Sequence, residues 1–266
     1  MDNTKQNILE EIYEKSINYY IESNLDDFYT KSSYHPNFKS HIEDKISWVI
    51  AKKADWPMAI FRADFANLNL YYEISKIKRL IKNGEAPNGW TVGPNTIPDN
   101  LGVVLENNNF SNVYQQAGMA ISLNKLKERV KDNKELEIEV IEDKKSLKHW
   151  IIVASSAFGI KIDSDLIEFL FLEPEVKFFI GKFNGKPVSA LMLYLSSGVA
   201  GLHAVSTLSE YRNRGFGIII SRTALVYAFD MGYKVGVLQA SAMGERVYRK
   251  LGFKKYCDII SYELDL

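Results

Sequence analysis

The chain has 266 residues, 46% hydrophobic and 25% charged, which is the composition of a globular protein and excludes a disordered chain, a collagen or a coiled coil. Its 33 basic and 33 acidic side chains cancel, so no bulk positive charge is available to hold a nucleic acid or an acidic membrane surface. The one cysteine, Cys257, excludes an intrachain disulfide framework and a cysteine-based zinc site. His35, His41 and His149 form no metal-ligand spacing, and no metal is expected.

The N-terminal residues 1–6 lack the charged-then-apolar pattern of a signal peptide, so a cytoplasmic protein is the default. Apolar residues at Ile8, Leu9, Ile12, Ile17 and Ile21 among acids and lysines predict an amphipathic surface helix over 8–21. Near the end of the first half, Leu101–Phe110 leads into a strand-like Met119–Leu123. A charged stretch from Lys125 to Glu135 predicts a linker or seam near 124–135. The expected domains are therefore 1–130 and 131–266.

The second half alternates element types. Leu136–Ile141 reads as a strand, Ser146–Phe158 as a helix, and Asp163–Phe171 as a short helix capped by Asp163. Val176–Phe183 and Val188–Leu195 read as strands joined at Asn184-Gly185, a strong hairpin signal. Pro187–Ser209 carries no formal charge, but Ser196-Ser197-Gly198 and Gly201 interrupt it. It reads as two buried strands joined by a turn, the second ending over Leu202–Thr207, and not as a membrane span. Arg212–Gly217 is a glycine-containing loop, followed by a helix over Ile218–Met231, a strand over Val235–Ala240, a helix over Ala242–Leu251 and a last strand over Tyr256–Leu264. The order β-α-α-β-β-β-α-β-α-β is that of a mixed α/β sheet.

The loop Arg212-Asn213-Arg214-Gly215-Phe216-Gly217 carries the chemistry. It follows a strand and opens a helix, so its backbone N–H groups and the helix N-terminus form a cradle for a diphosphate. Glycine serves where backbone must approach phosphate, and arginine supplies forked donors. Residues 212–250 hold seven basic and two acidic side chains, a local excess that the neutral total hides. The loop lacks the Gly-Lys-Ser/Thr end of a P-loop and the full Gly-x-Gly-x-x-Gly of a dinucleotide fold. About thirty residues on lies Tyr248-Arg249-Lys250-Leu251-Gly252-Phe253. With a strand, an Arg-x-x-Gly-x-Gly loop, a long helix, a strand and a helix ending Tyr-x-x-x-Gly-Phe in order, residues 136–266 resemble the GNAT acetyltransferases.

The resemblance implies a mixed, mostly antiparallel sheet flanked by helices, and acetyl-CoA as co-substrate. It implies that the backbone of Val205, Ser206 and Thr207 pairs with the pantetheine arm. The N–H groups of Asn213, Arg214, Gly215, Phe216 and Gly217 would hold the pyrophosphate, with Arg212 at the family's Arg/Gln position and Arg214 and Arg249 as supporting cations. Tyr248 stands at the place of the general acid that protonates the departing thiolate, a role within reach of a phenol of pKa about 10. Where many members have an asparagine that contacts CoA, this chain has Ser241. His203 resembles a proton relay of the arylalkylamine branch, and by strand alternation shares a face with Val205 and Thr207. Glu173, Glu175 and Glu210 are alternatives for the base, and a structural role for His203 stays open.

The first half resembles a degenerate GNAT-like half without a CoA site, Phe110 aligning with Phe253 and Leu105 with Tyr248; an unrelated α/β or helical domain is the alternative. Trp56, Phe61, Phe65, Trp90, Tyr71 and Tyr72 are its aromatic candidates for lining an acceptor pocket, although aromatics ordinarily belong to the core. The expected function is acyl transfer from CoA to a primary amine of a small molecule or peptide, by a monomer or homodimer without nucleic-acid or membrane partners. A Fem-type aminoacyl transferase and a non-catalytic acetyl-CoA sensor are the competing readings.

Overall fold

The computed structural model describes residues 8–128 and 135–266. The first half contains α1 (Ile17–Ser33), β1 (Phe38–Ile42), β2 (Ser47–Ala51), β3 (Ala59–Phe61), α2 (Leu70–Lys82), β4 (Gly89–Val92), α3 (Leu101–Glu106) and β5 (Phe110–Ser122). The second contains β6 (Leu136–Val140), α4 (Lys144–Phe158), α5 (Ser164–Phe171), β7 (Val176–Phe183), β8 (Lys186–Ser196), β9 (Val199–Thr207), α6 (Phe216–Asp230), β10 (Val235–Ala240), α7 (Ala242–Leu251) and β11 (Lys254–Leu264). Every element expected in the second half forms, within a few residues of its predicted ends.

Local chemistry explains the boundaries. The Asp143 carboxylate accepts from the N–H of Lys145 and Ser146 (2.8 and 2.9 Å) to start α4, and Asp163 starts α5 in the same way. Asn184 and Gly185 both take positive φ (49° and 74°), as do Ser197 and Gly198 (50° and 73°), which gives both hairpins the twist their strands need.

All the strands join one sheet, in the order β1-β2-β3-β4-β11-β5-β10-β9-β8-β7-β6. It is mixed and mostly antiparallel, as expected; β3 with β4 and β9 with β10 are the parallel pairs. The order β1-β2-β3-α2-β4-α3-β5 recurs as β7-β8-β9-α6-β10-α7-β11. The last strand of each set crosses over: β5 lies between β10 and β11, and β11 between β4 and β5. Of the expected linker, residues 129–134 lie outside the described residues.

The expectation of a surface helix over 8–21 is corrected. The helix starts at Ile17 and runs to Ser33. Ile17 and Ile21 are fully buried and pack with Val199, Val235, Val237 and Ile259 from the middle of the sheet. Their apolar period continues through Leu25 and Phe28, so the stripe that specifies the helix lies C-terminal to the predicted one.

The opening that positions the site lies between β9 and β10. These strands pair only at Ala200↔Gly236 and Gly201↔Val237. Beyond that point β9 stays with β8 as far as Ser189↔Thr207, while β10 stays with β5 as far as Ala240↔Ala117. A bulge sharpens the divergence: Met192 pairs with His203 but Ala190 with Ser206, so β9 carries an extra residue. Ala204 takes a φ of +50° there, a conformation that a non-glycine residue adopts only under constraint.

Candidate functional site

A cavity of about 980 Å³ opens in this gap. One end is formed by the loop after β9 and the starts of α6 and α7. Asn213 (φ +63°) and Gly215 (φ +80°) turn that loop back on itself, the kind of alternation that aims successive N–H groups at one point. Among the described residues, none of the N–H groups of residues 213–217 meets a backbone or side-chain acceptor. A Cβ added at Gly215 or Gly217 would meet no atom within 4 Å. The glycines thus keep open space beside unpaired donors, at the positive end of a helix dipole.

Of the sequence-predicted binding residues, Val205, Ser206, Thr207, Arg212, Asn213, Gly215, Phe216, Gly217 and Ser241 line the cavity. The Arg212 side chain donates to the carbonyls of Thr207 and Ala157 (both 3.1 Å), which ties the loop to β9 and α4. The Ser241 hydroxyl accepts from Gly244 N–H (3.1 Å) as the N-cap of α7, so its oxygen is occupied while its proton is available to a ligand. Arg214 and Arg249 do not line the cavity: Arg214 lies over the rings of Phe183 and Tyr211 (5.2 and 5.9 Å), and Arg249 is tied to Glu245 one turn earlier.

Tyr248 lies on α7, 8% exposed, at the cavity wall. Burial pushes its phenol well above its ordinary value, with partial relief from the neighbouring Ser221 hydroxyl, so it holds its proton.

His203 reaches the same cavity from β9. The bulge at Ala204 breaks strand alternation, so the expectation that His203 shares a face with Val205 is corrected. His203 packs on Phe28 and Tyr194, while Val205 packs on the opposite side among residues of α6 and α7. Its Nε2 lies 2.8 Å from Asn24 Oδ1. The Asn24 amide nitrogen donates to the carbonyls of Tyr194 and Ser196 and to the Ser196 hydroxyl (3.2, 3.3 and 3.2 Å), which fixes the amide so that its oxygen faces the ring. Nε2 therefore carries the hydrogen and Nδ1 the lone pair. Burial pushes the imidazole down to about 4, leaving it neutral with a free acceptor. Glu173 and Glu175, the alternative bases, do not line the cavity and form ion pairs with Lys31 (2.9 and 2.7 Å); Glu210 lies on the exposed turn before Arg212.

The far end of the cavity comes from both halves. Phe28 and Tyr29 of α1, Trp56 and Tyr114 meet Phe158 and Ile162 there. Of the first-half aromatics singled out in the sequence, Trp90, Phe61 and Phe65 are core and Tyr71 and Tyr72 are exposed, so Trp56 alone of that set lines the cavity. Asn24 carries no sequence signal, because the partner that gives it meaning, His203, lies 179 positions away. Among the described residues no group of three or more His, Cys, Asp or Glu is arranged to hold a metal ion, and no helix is long and apolar enough to cross a membrane.

Residues 144–253 match the acetyltransferase (GNAT) family model. Similar solved structures include a GCN5-related N-acetyltransferase from Kribbella flavida (14% identity, 91% of this chain and 95% of that one, TM-score 0.69). Another is a GCN5-related N-acetyltransferase from Sphaerobacter thermophilus (12% identity, 96% of each chain, TM-score 0.64). A third is a GCN5-related N-acetyltransferase-like protein from Streptococcus suis (14% identity, 94% and 99%, TM-score 0.58). At these identities the likeness establishes the fold, along nearly the whole length of both chains. None of the curated proteins matches the chain.

Proposed function

We propose that the chain, whose residues 144–253 match the acetyltransferase (GNAT) family model, is an N-acetyltransferase that transfers the acetyl group of acetyl-CoA directly to a primary amine of a small molecule or peptide. The observation that carries this reading is one cavity holding three things. These are a loop of unpaired N–H donors beside open glycines, a strand edge left free where β9 parts from β10, and a buried, protonated tyrosine.

These residues fit the co-substrate. The N–H groups of residues 213–217 and the α6 N-terminus suit a diphosphate. The free edge at Val205, Ser206 and Thr207 suits an extended arm with amide groups, bound as an added strand. When bound, acetyl-CoA supplies an activated thioester. The chain's own part is to orient the thioester and the amine together, to place a strand N–H where it polarises the carbonyl, and to manage two protons. His203 Nδ1 accepts a proton from the amine, directly or through water. Tyr248 gives its hydroxyl proton to the departing sulfur and, with a pKa far above that of a thiol, recovers one readily. The first half, residues 1–130, acts in this reading as a degenerate GNAT-like unit that closes the acceptor side, which the recurring element order supports.

Thiol release measured with acetyl-CoA and a panel of amines tests the proposal. Tyr248→Phe is expected to lower kcat by about 100-fold while leaving acetyl-CoA affinity near its original value. An unaltered rate removes Tyr248 as the acid, and no release with any amine rejects acetyl transfer.

A further inference from the structure

We infer that the acceptor is the N-terminal α-amine of a polypeptide, whose first residues lie as an added strand along β5 with the amine at the end of β10. The inference rests on the acetyl-transfer reading and names the substrate class of the same site.

β5 is paired along the whole of one edge and only half of the other. Its first edge follows β11 from Phe110 to Ala120. On the second, β10 ends with Ala240 opposite Ala117, and no strand continues that line past residues 111–116. Among the described residues, no backbone N–H or carbonyl of 111–116 bonds outside the ladder with β11. The side chains of 111–115 are exposed, Val113 and Tyr114 at 49% and 47%. Residues 110–124 include no charged residue and no proline. Lysine, proline or a covering element ordinarily protects such an edge, and a bare, uncharged one suits an extended peptide. Val113 has no partner on β11. This bulge ends the regular stretch, so residues 114–116 beside the cavity serve the first three residues of the peptide.

The edge leads into the cavity. Tyr114 and Gln116 line it on one side, Val205 to Thr207 on the other, and Ala240 stands at the apex between them. Where β10 ends, β5 and β9 are two strand spacings apart, about 10 Å, and β9 has already left β10. The notch therefore widens outward. It has room for the extended arm along β9, as proposed above, and for a peptide along β5. The diphosphate loop follows the far end of β9, so an arm running from Thr207 to Val205 points its end at the apex. β10 runs antiparallel to β5. A peptide that continues the line of β10 in the same sense, the more stable pairing, has its first residue opposite Gln116 and its α-amine at the apex. The reverse sense would bring a C-terminus there.

The apex offers acceptors without counter-charge. Gln116 Nε2 donates to the Gln239 carbonyl (3.2 Å) and Gln239 Nε2 to the Ile21 carbonyl (2.8 Å). Among the described residues neither carboxamide oxygen receives a donor, so both remain for an amine N–H. No Asp or Glu is among the described residues that line the cavity, so an amine sheds its proton here without a carboxylate to hold it charged. An α-amine, with a pKa of about 8, does so far more easily than a lysine side chain at about 10.4. Its nitrogen bonds to the acetyl carbon as the carbon–sulfur bond breaks, Tyr248 protonates the departing sulfur, and the nitrogen loses its proton by the route proposed above.

Hydrogen exchange of the intact chain with CoA present, and thiol release with acetyl-CoA, test this. The probes are hexapeptide amides that begin with Ala, Ser or Met and continue in alternating Thr and Val. Exchange over residues 111–116 is expected to slow by at least about 10-fold with peptide. The kcat/KM of the best hexapeptide is expected to exceed that of alaninamide by at least about 10-fold. It is expected to exceed that of a lysine in the same peptide with its α-amine blocked by about 100-fold near neutral pH. Backbone N-methylation at alternate residues is expected to weaken peptide binding by at least about 10-fold in one register and little in the other. Preference for alaninamide or for the lysine side chain, equal effects of the two methylation registers, or unchanged exchange overturns the inference. Protection that grows with protein concentration in the absence of peptide assigns the edge to a second copy and also overturns it. In each of these cases acetyl-CoA binding, measured by calorimetry, leaves the acetyl-transfer reading standing, and no acetyl-CoA binding overturns that reading itself.

Discussion

His203 shows how a buried side chain is prepared by residues far from it in sequence. Its imidazole is pushed from 6.5 down to about 4 by burial, so it binds fewer protons in the folded than in the unfolded chain between those values. Stability contributed by the neutral ring is complete above about pH 6.5 and is lost as pH falls toward 4, by about 3 kcal/mol in all. Glu22 slopes the opposite way: burial raises its carboxyl to about 7, so its contribution is lost as pH rises through that value. Urea unfolding of the wild type and His203→Gln from pH 7 to 4 separates the two, and the difference between the proteins is expected to move by about that amount in favour of the variant as pH falls. A constant difference would mean that the ring titrates alike in the folded and the unfolded chain. Asn24 sets the tautomer, and ¹⁵N NMR of the ring is expected to show Nε2 protonated and Nδ1 bare. Gly201 makes room for that pair, since a Cβ there would collide with Asn24 Oδ1. Gly201→Ala is therefore expected to cost about 2 kcal/mol or more of stability in the same unfolding measurement.

At the scale of elements, what was legible in the sequence is what local chemistry decides. The Asn184-Gly185 hairpin, the Asp143 and Asp163 caps and the helix ending at Gly252 each follow from one or two residues. The bulge at Ala204 was not legible, because alanine carries no preference for positive φ; partners on β8 and the parting of β10 impose it. That one extra residue turns His203 and Val205 to opposite faces and exposes the strand edge. The loop after β9 was legible because glycine at 215 answers a backbone demand: its φ is +80°. Gly215→Ala is expected to lower stability by about 1 kcal/mol from backbone strain alone. Gly217 has no such φ and no crowding, so the fold does not require glycine there, and the space beside it is left for a ligand.

The whole molecule is one sheet in which the halves exchange their last strands. The Arg-x-x-Gly-x-Gly and Tyr-x-x-x-Gly-Phe motifs mark the half to which the proposed function assigns catalysis, and the weak similarity of Leu101–Phe110 to the end of the second half marked the recurring order. Strand exchange left no trace in sequence, because register between β5 and β11 is set by pairings more than 130 positions apart, such as Gly118↔Cys257. Its consequence is mechanical. β11 has both its partners, β4 and β5, in the first half, and β10 has one of its two there. Residues 131–266 expressed alone are expected not to fold cooperatively, as read by thermal melting; a sharp transition at the temperature of the intact chain would mean that the halves are energetically separate.

The loop at 213–217 as the seat of acetyl-CoA is the claim on which the rest depends, and calorimetric titration of the intact chain and Gly217→Leu with acetyl-CoA tests it most directly. The account predicts saturable one-to-one binding to the wild type, at least about 10-fold weaker binding to the variant, and a Tm for the variant within about 2 °C of the wild type. No binding to the wild type, or equal affinity in a folded variant, would contradict it.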